Sequence, residues 1–231
     1  MHKKLIAMAN LPFLLVFTLF SAILLTACSE DGTSASDGTF DASVVCPENL
    51  RGTFVDERDG QVYKYTTIGN QVWMAENLKF DAPYSLCYER TEGFCDTFGR
   101  FYSLHENGKA LGPFDQELLD TICPLGWHVP SIDEWDVLVD EMGGTKKAGI
   151  RLKSSENFGE RYKRGEDVCL FSALPAGEWL LDGSNPMENV SSVYWTSTAK
   201  SIDVAYSYLI AIDGTGPEMD KPKMSIRCIK D

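Results

Sequence analysis

Apolar and polar positions alternate in short runs from residue 53 to residue 75. Thr53-Phe54-Val55 reads as a strand. Asp56 to Gly60 is a turn, with Asp59-Gly60 supplying a positive φ. Gln61 to Ile68 alternates well, Gly69-Asn70 turns again, and Gln71 to Ala75 returns, so a three-stranded meander is predicted. The middle of the chain changes period. Residues 113–120 carry a short amphipathic pattern. A better helix is predicted from Ser131, where Pro130 precedes the cap and Glu134 completes an Ser-x-x-Glu capping box. Ile132, Trp135, Leu138, Val139 and Met142 then make one apolar face, which leaves Asp133, Asp136, Asp140 and Glu141 to solvent. Gly143-Gly144 stops that helix. The last third returns to β. Leu170–Leu174 leads into Pro175-Ala176-Gly177, Val193–Thr198 and Val204–Ile212 are β-prone, and Met224–Ile229 closes the chain with Met224, Ile226 and Cys228 on one face. Meander, helices, meander is an α+β order rather than βαβ. About two helices and mainly antiparallel strands are expected.

The N-terminus follows none of these patterns. MHKK is a basic start, an apolar run follows, and Leu25-Thr26-Ala27-Cys28 ends it, which marks residues 1–27 as a secretory signal. LTAC resembles the lipobox of bacterial lipoproteins. That resemblance implies cleavage before Cys28, a diacylglycerol thioether on its sulfur and a palmitate-type acyl group on its amine. Such chains anchor a protein firmly to a membrane. Ser29 rather than Asp after Cys28 points to the outer membrane or cell surface. Residues 28–45 are small, polar and acidic and read as a flexible tether. Residues 46–231 then form a single domain.

Charge narrows the partners. The chain has 21 Lys and Arg against 34 Asp and Glu, a net −13; removing Lys3 and Lys4 with the signal leaves 19 against 34, or −15. Such a chain repels phosphate backbones, so no nucleic-acid partner is expected. Beyond Cys28 six cysteines remain, an even number that suggests disulfides in an exported chain but leaves many pairings open. Cys87 and Cys95 bracket only YERTEGF, which favours a local bridge. No CxxC pair occurs, and only His105 and His128 lie beyond the signal, so no metal site or cofactor is expected. Asp56 and Asp59 lack the calcium-loop spacing and closing Glu and belong to their turn. His128 stands apart from other ligand types in sequence and reads as a hydrogen-bonded structural residue.

Several stretches carry a family likeness: FVDERDGQVYKYTTIGNQVWMAENLKF, CYERTEGFCDTFGRFYS, CPLGWHVPSIDEW, GIRLKSS, FSALPAGEW, YWTST and SIRCIKD. Together they resemble the Fibrobacter succinogenes major paralogous domain family over residues 52–231. The resemblance implies an exported bacterial protein, often a lipoprotein, with a fold related to C-type lectins and formylglycine-generating enzymes. A lectin-like fold implies a long-range bridge, Cys123–Cys228, which leaves Cys46–Cys169 as the third pair. Formylglycine-type chemistry needs a closely spaced C-terminal cysteine pair that binds copper. Cys228 stands alone, and no serine-hydrolase, zinc-protease or phosphate-loop motif occurs, so no enzyme is expected. The expected role is a non-catalytic surface module for an extracellular polymer, glycan or envelope partner, with a purely structural envelope protein as the alternative. Candidate binding residues lie in two polar loops: Asp182, Asn185, Glu188 and Asn189 in the first, Asp213, Glu218 and Asp220 in the second.

Overall fold

The computed structural model describes residues 40–88, 92–108, 115–158, 165–201, 204–211, 215–219 and 223–231. The predicted meander forms as β1 (Gly52–Val55), β2 (Val62–Ile68) and β3 (Gln71–Met74). Asp56 anchors its first turn. The carboxylate is 1% exposed and accepts from the Arg58 backbone N–H and guanidinium.

Five α-helical segments occur among the described residues: α1 (Ala42–Val45), α2 (Phe94–Phe98), α3 (Gln116–Thr121), α4 (Ile132–Glu141) and α5 (Thr145–Leu152). Only α4 and α5 exceed two turns. At α4 the capping box is complete: Ser131 Oγ accepts from Glu134 N–H, and Glu134 Oε2 accepts from Ser131 N–H at 2.8 Å. Gly143-Gly144 ends α4 as expected, but the chain turns directly into α5, which buries Ala148 and Leu152. Residues 113–114 of the earlier amphipathic stretch lie outside the described residues. The rest of it forms α3, capped by Asp115.

β4 (Trp127–His128), β5 (Ser192–Ser201), β6 (Val204–Ile210), β7 (Thr215–Met219) and β8 (Ile229–Lys230) complete two antiparallel sheets. The first has order β1-β2-β3-β8-β4, so the last strand is inserted beside the opening meander; the second is β5-β6-β7. The fold is α+β. Met224, Ile226 and Cys228 all enter one apolar cluster with Tyr63, Trp127 and Trp195, while Ile229 enters a second with Trp73, Trp135 and Phe171. Trp135 stacks on Tyr208 and Tyr194, at 5.1 and 5.2 Å between ring centroids.

Three expectations need correction. Leu170–Leu174 is not a strand. Only Ala173 makes an isolated bridge, to Lys153, and Leu170 and Ser172 have φ of 53° and 54°. Residues 215–219 are not loop but the edge strand β7, where Pro217 lies opposite Tyr208; an edge tolerates a proline that a central strand would not. The body also begins before Cys46. Asp41 caps α1, Phe40, Ala42 and Val45 pack on the second cluster, and the Arg151 guanidinium lies 3.9 Å over the Phe40 ring. Residues 40–45 are therefore folded, and the tether reading is left to 28–39, outside the described residues.

Three disulfides staple the unit: Cys46–Cys169, Cys87–Cys95 and Cys123–Cys228. These are the pairs named from the sequence.

Candidate functional site

The irregular stretch that replaces the expected strand has an unusual backbone. Asp167, Leu170 and Ser172 all occupy the left-handed region, with φ of 47°, 53° and 54°. Each such non-glycine residue costs on the order of 1 kcal/mol or more and persists only where its surroundings impose it.

The surroundings are strong. Asp167 accepts from Ser172 N–H at 2.7 Å and from Ser172 Oγ at 2.8 Å. Thr66 Oγ1 donates to the Cys169 carbonyl at 2.6 Å, and Cys169 is bridged to Cys46. Behind the loop lies Arg227, completely buried. It donates to the carbonyls of Phe171, Ser172 and Met74 and, through both Nε and Nη2, to Asn77 Oδ1. Its guanidinium lies against the rings of Phe171 and Tyr194. Burial lowers the Arg227 pKa, and the hydrogen bond to Tyr194 and the Asp167 and Glu76 carboxylates work against that loss, but an arginine remains charged under any physiological condition. Burial also raises the Asp167 carboxyl, only partly offset by the Ser172 hydrogen bonds and the Arg227 charge.

This loop walls a surface cavity of about 320 Å³, lined on this side by Leu170, Ser172 and Leu174. Arg51, Gly52 at the start of β1, and Lys64 and Tyr65 of β2 also line it, with Glu76, Lys79 and Asp96. Gly52 faces Tyr65 directly across the β1–β2 pair. A Cβ at position 52 would sit 2.7 Å from the Tyr65 hydroxyl, so only glycine lets that ring lie on the strand. Glu76 is already engaged, with Lys79 Nζ at 3.4 Å and the Lys64 N–H at 2.8 Å. Arg51 Nη2 donates to the Cys46 carbonyl at 3.0 Å.

A second cavity of about 420 Å³ borders the first, and Tyr65 lines both. Phe54 and Trp127 lie on its floor, stacked at 4.4 Å, and Asn49, Thr53 and Thr67 supply polar groups.

The first polar loop behaves differently. Asn185 is a clamp: its Oδ1 accepts from Glu178 N–H at 3.0 Å and its Nδ2 donates to the Ala176 carbonyl at 2.8 Å. It fits because Gly177, φ 75°, has no Cβ; one would fall 2.1 Å from Asn185 Oδ1. Asp182 accepts from Ser184 N–H and Oγ, Asn189 N–H donates to Pro175, and Glu188 N–H donates to Asn185. The Asn185 side chain is thus spent within the loop, while Asp182 and Asn189 are exposed. Asp213 and Asp220 lie outside the described residues. Glu218 falls on β7 opposite Ser207, and its side chain is not described.

His128 is held at both nitrogens. Nδ1 lies 2.7 Å from Asp231 Oδ1 and Nε2 lies 2.8 Å from Glu134 Oε1. Partial burial opposes the charged imidazole, but the bonds to Asp231 and Glu134 outweigh it and raise the pKa above 6.5. The ring clasps β4 to α4 and to the residue after β8. Among the described residues no group of three His, Cys, Asp or Glu side chains is placed to hold a metal ion, and no helix is long and apolar enough to cross a membrane.

The structure defines a disulfide-stapled α+β domain with a cavity walled by a strained, buttressed loop. The chain belongs to the Fibrobacter succinogenes major domain family, whose model matches residues 66–230. No match was found among curated proteins or among solved structures.

Proposed function

We propose that the protein is a lipid-anchored, non-catalytic surface module that binds an extracellular polymer, glycan or envelope partner. One observation carries this reading: the cavity beside loop 167–174 is open to solvent and its wall is fixed in advance. A site ordered before its ligand arrives loses less entropy on binding. The side chains around it support recognition rather than chemistry. Ser172 on the lining gives its hydroxyl to Asp167 as part of the loop's own bracing, and His128 is engaged by two carboxylates and absent from that lining.

The anchor reading rests on LTAC, with Cys28 as the lipidated residue and the outer membrane or cell surface as the destination. The mature N-terminal peptide of the wild type begins at Cys28 and carries the mass of its acyl chains, and this acylated peptide is lost in the Cys28→Ala variant. A wild-type N-terminal peptide without acyl mass refutes the anchor.

The binding role is tested by retention of the detergent-solubilised full-length protein on a panel of insoluble polysaccharides. Retention that falls on Tyr65→Ala substitution is expected. A protein retained on no polymer that co-purifies with envelope proteins fits the purely structural alternative instead.

A further inference from the structure

The charges around the two cavities run against the rest of the molecule. The chain carries 34 acidic residues and a net −13. The first cavity is nevertheless lined by three cations, Arg51, Lys64 and Lys79, against Glu76 and Asp96. The second has Lys230 and no acid in its lining. Glu76 is already shared between Lys79 Nζ and the Lys64 N–H, which leaves the Lys64 ammonium exposed and without an ion-pair partner among the described residues. The buried Arg227 adds its charge just behind the wall, through its bond to the Ser172 carbonyl.

One donor is also incomplete. Arg51 lines the first cavity, and its Nε is buried with no hydrogen-bond partner among the described residues. A buried N–H in that state calls for an acceptor that the described residues do not supply. The second cavity differs in character. Tyr65, Phe54 and Trp127 give it aromatic surface, and Asn49, Thr53 and Thr67 give it donors and acceptors. Aromatic faces beside hydroxyl and amide groups suit the apolar face and hydroxyl rim of a sugar ring.

We propose that the two cavities together bind an anionic oligosaccharide, with a uronate carboxylate at Arg51, Lys64 and Lys79 and the adjoining sugar units running past Tyr65 onto Phe54 and Trp127. This rests on the binding-module reading and names its ligand class. The carboxylate meets the exposed Lys64 ammonium and the Arg51 and Lys79 cations that line the cavity. Asp96 is left to accept from sugar hydroxyls. The strained loop keeps Ser172 at the wall, where its hydroxyl already serves Asp167. Recognition in the first cavity is then mainly charge, and in the second mainly stacking.

The test uses two probes with one backbone: a galacturonate hexamer and the same hexamer fully methyl-esterified. Each is titrated calorimetrically into the full-length protein in detergent. The acid binds at least about tenfold tighter than the ester, a gap of about 1.4 kcal/mol. Salt at about 0.5 M closes most of that gap, because exposed charges are screened at that strength. Lys64→Gln and Arg51→Gln weaken the acid by about fivefold or more and leave the ester unchanged, whereas Tyr65→Ala weakens both. Lys64 is exposed, so its variant keeps the fold even if the Arg51 variant does not. Equal binding of acid and ester overturns the anionic class and leaves the binding-module reading standing. Binding of neither hexamer overturns it as well, and retention on the polysaccharide panel then decides whether the broader reading falls with it. Wild-type affinity of Lys64→Gln for the acid contradicts the proposed position of the carboxylate.

Discussion

His128 shows how a single side chain links sequence, fold and pH. Its pKa is raised on folding, so the protonated ring contributes fully below the ordinary value of 6.5, and that contribution fades as the pH climbs through the folded value. Glu134 behaves oppositely. Burial raises its pKa, but bonds from Ser131 and His128 prevail and lower it, so its contribution is present above 4.5 and fades as the pH falls through the folded value. The clasp is strongest between those limits. The imidazole is 40% exposed, and solvent screening keeps the effect small, about 0.5–1 kcal/mol. Urea unfolding of His128→Gln against wild type should show a larger deficit near pH 5.5 than near pH 8.5, by about that amount; equal deficits at the two values contradict the clasp. Arg227 matters more. Arg227→Met strands the carbonyls of Phe171 and Ser172 and the Asn77 side chain, and should lower the unfolding free energy by about 3 kcal/mol or more. A loss under about 1 kcal/mol, measured the same way, would mean that the network is not needed. Neither side chain's surroundings were open to sequence reasoning. Asn77 lies 150 positions from Arg227, and Asp231 lies 103 from His128. The cysteines were more legible, because their number and the family likeness restrict the pairs.

At the scale of elements, legibility follows how local the cause is. The meander turns on Asp59-Gly60 and Gly69-Asn70, and α4 on the box between Ser131 and Glu134; all are decided within a few residues. Ser131→Ala removes the acceptor for Glu134 N–H and should cost about 1 kcal/mol, read as a lower denaturant midpoint at unchanged slope. An unchanged midpoint would assign the helix start to Pro130 and packing alone. Leu170–Leu174 misleads for the opposite reason. Its apolar residues fit a strand, but its shape is imposed by Arg227, Asp167 and the Cys46 bridge. The helix α5 escaped notice because Gly143-Gly144 reads as a stop, and a stop does not tell whether a second helix follows. The polar loop at 182–189 has the composition of a binding loop, yet Asn185 spends its amide on Ala176 and Glu178.

For the whole molecule, the outline was legible and the site was not. Element order gave α+β, while the cavity needs residues from two stretches far apart in the chain. Arg51, Gly52, Lys64 and Tyr65 line it from the stretch before residue 66, where the family match begins, and Ser172 and Leu174 from within that match. Cys46–Cys169 joins those two sides and spans 123 positions. The chain-entropy model gives such a bridge about 5 kcal/mol. The double variant Cys46→Ser/Cys169→Ser should lose a large part of that and, in the folded state, let loop 167–172 exchange its amides faster than the wild type. A variant with native exchange in that loop would show that Arg227 and Asp167 suffice to hold it.

The central claim is that the cavity beside loop 167–174, and not the loop at 182–189, meets the ligand. Amide hydrogen exchange of the full-length protein, with and without a polysaccharide that retains it, tests this most directly. Added protection is expected in peptides covering residues 49–54, 64–76 and 167–174. Protection confined to residues 182–189, or none in the three cavity segments, would contradict the account.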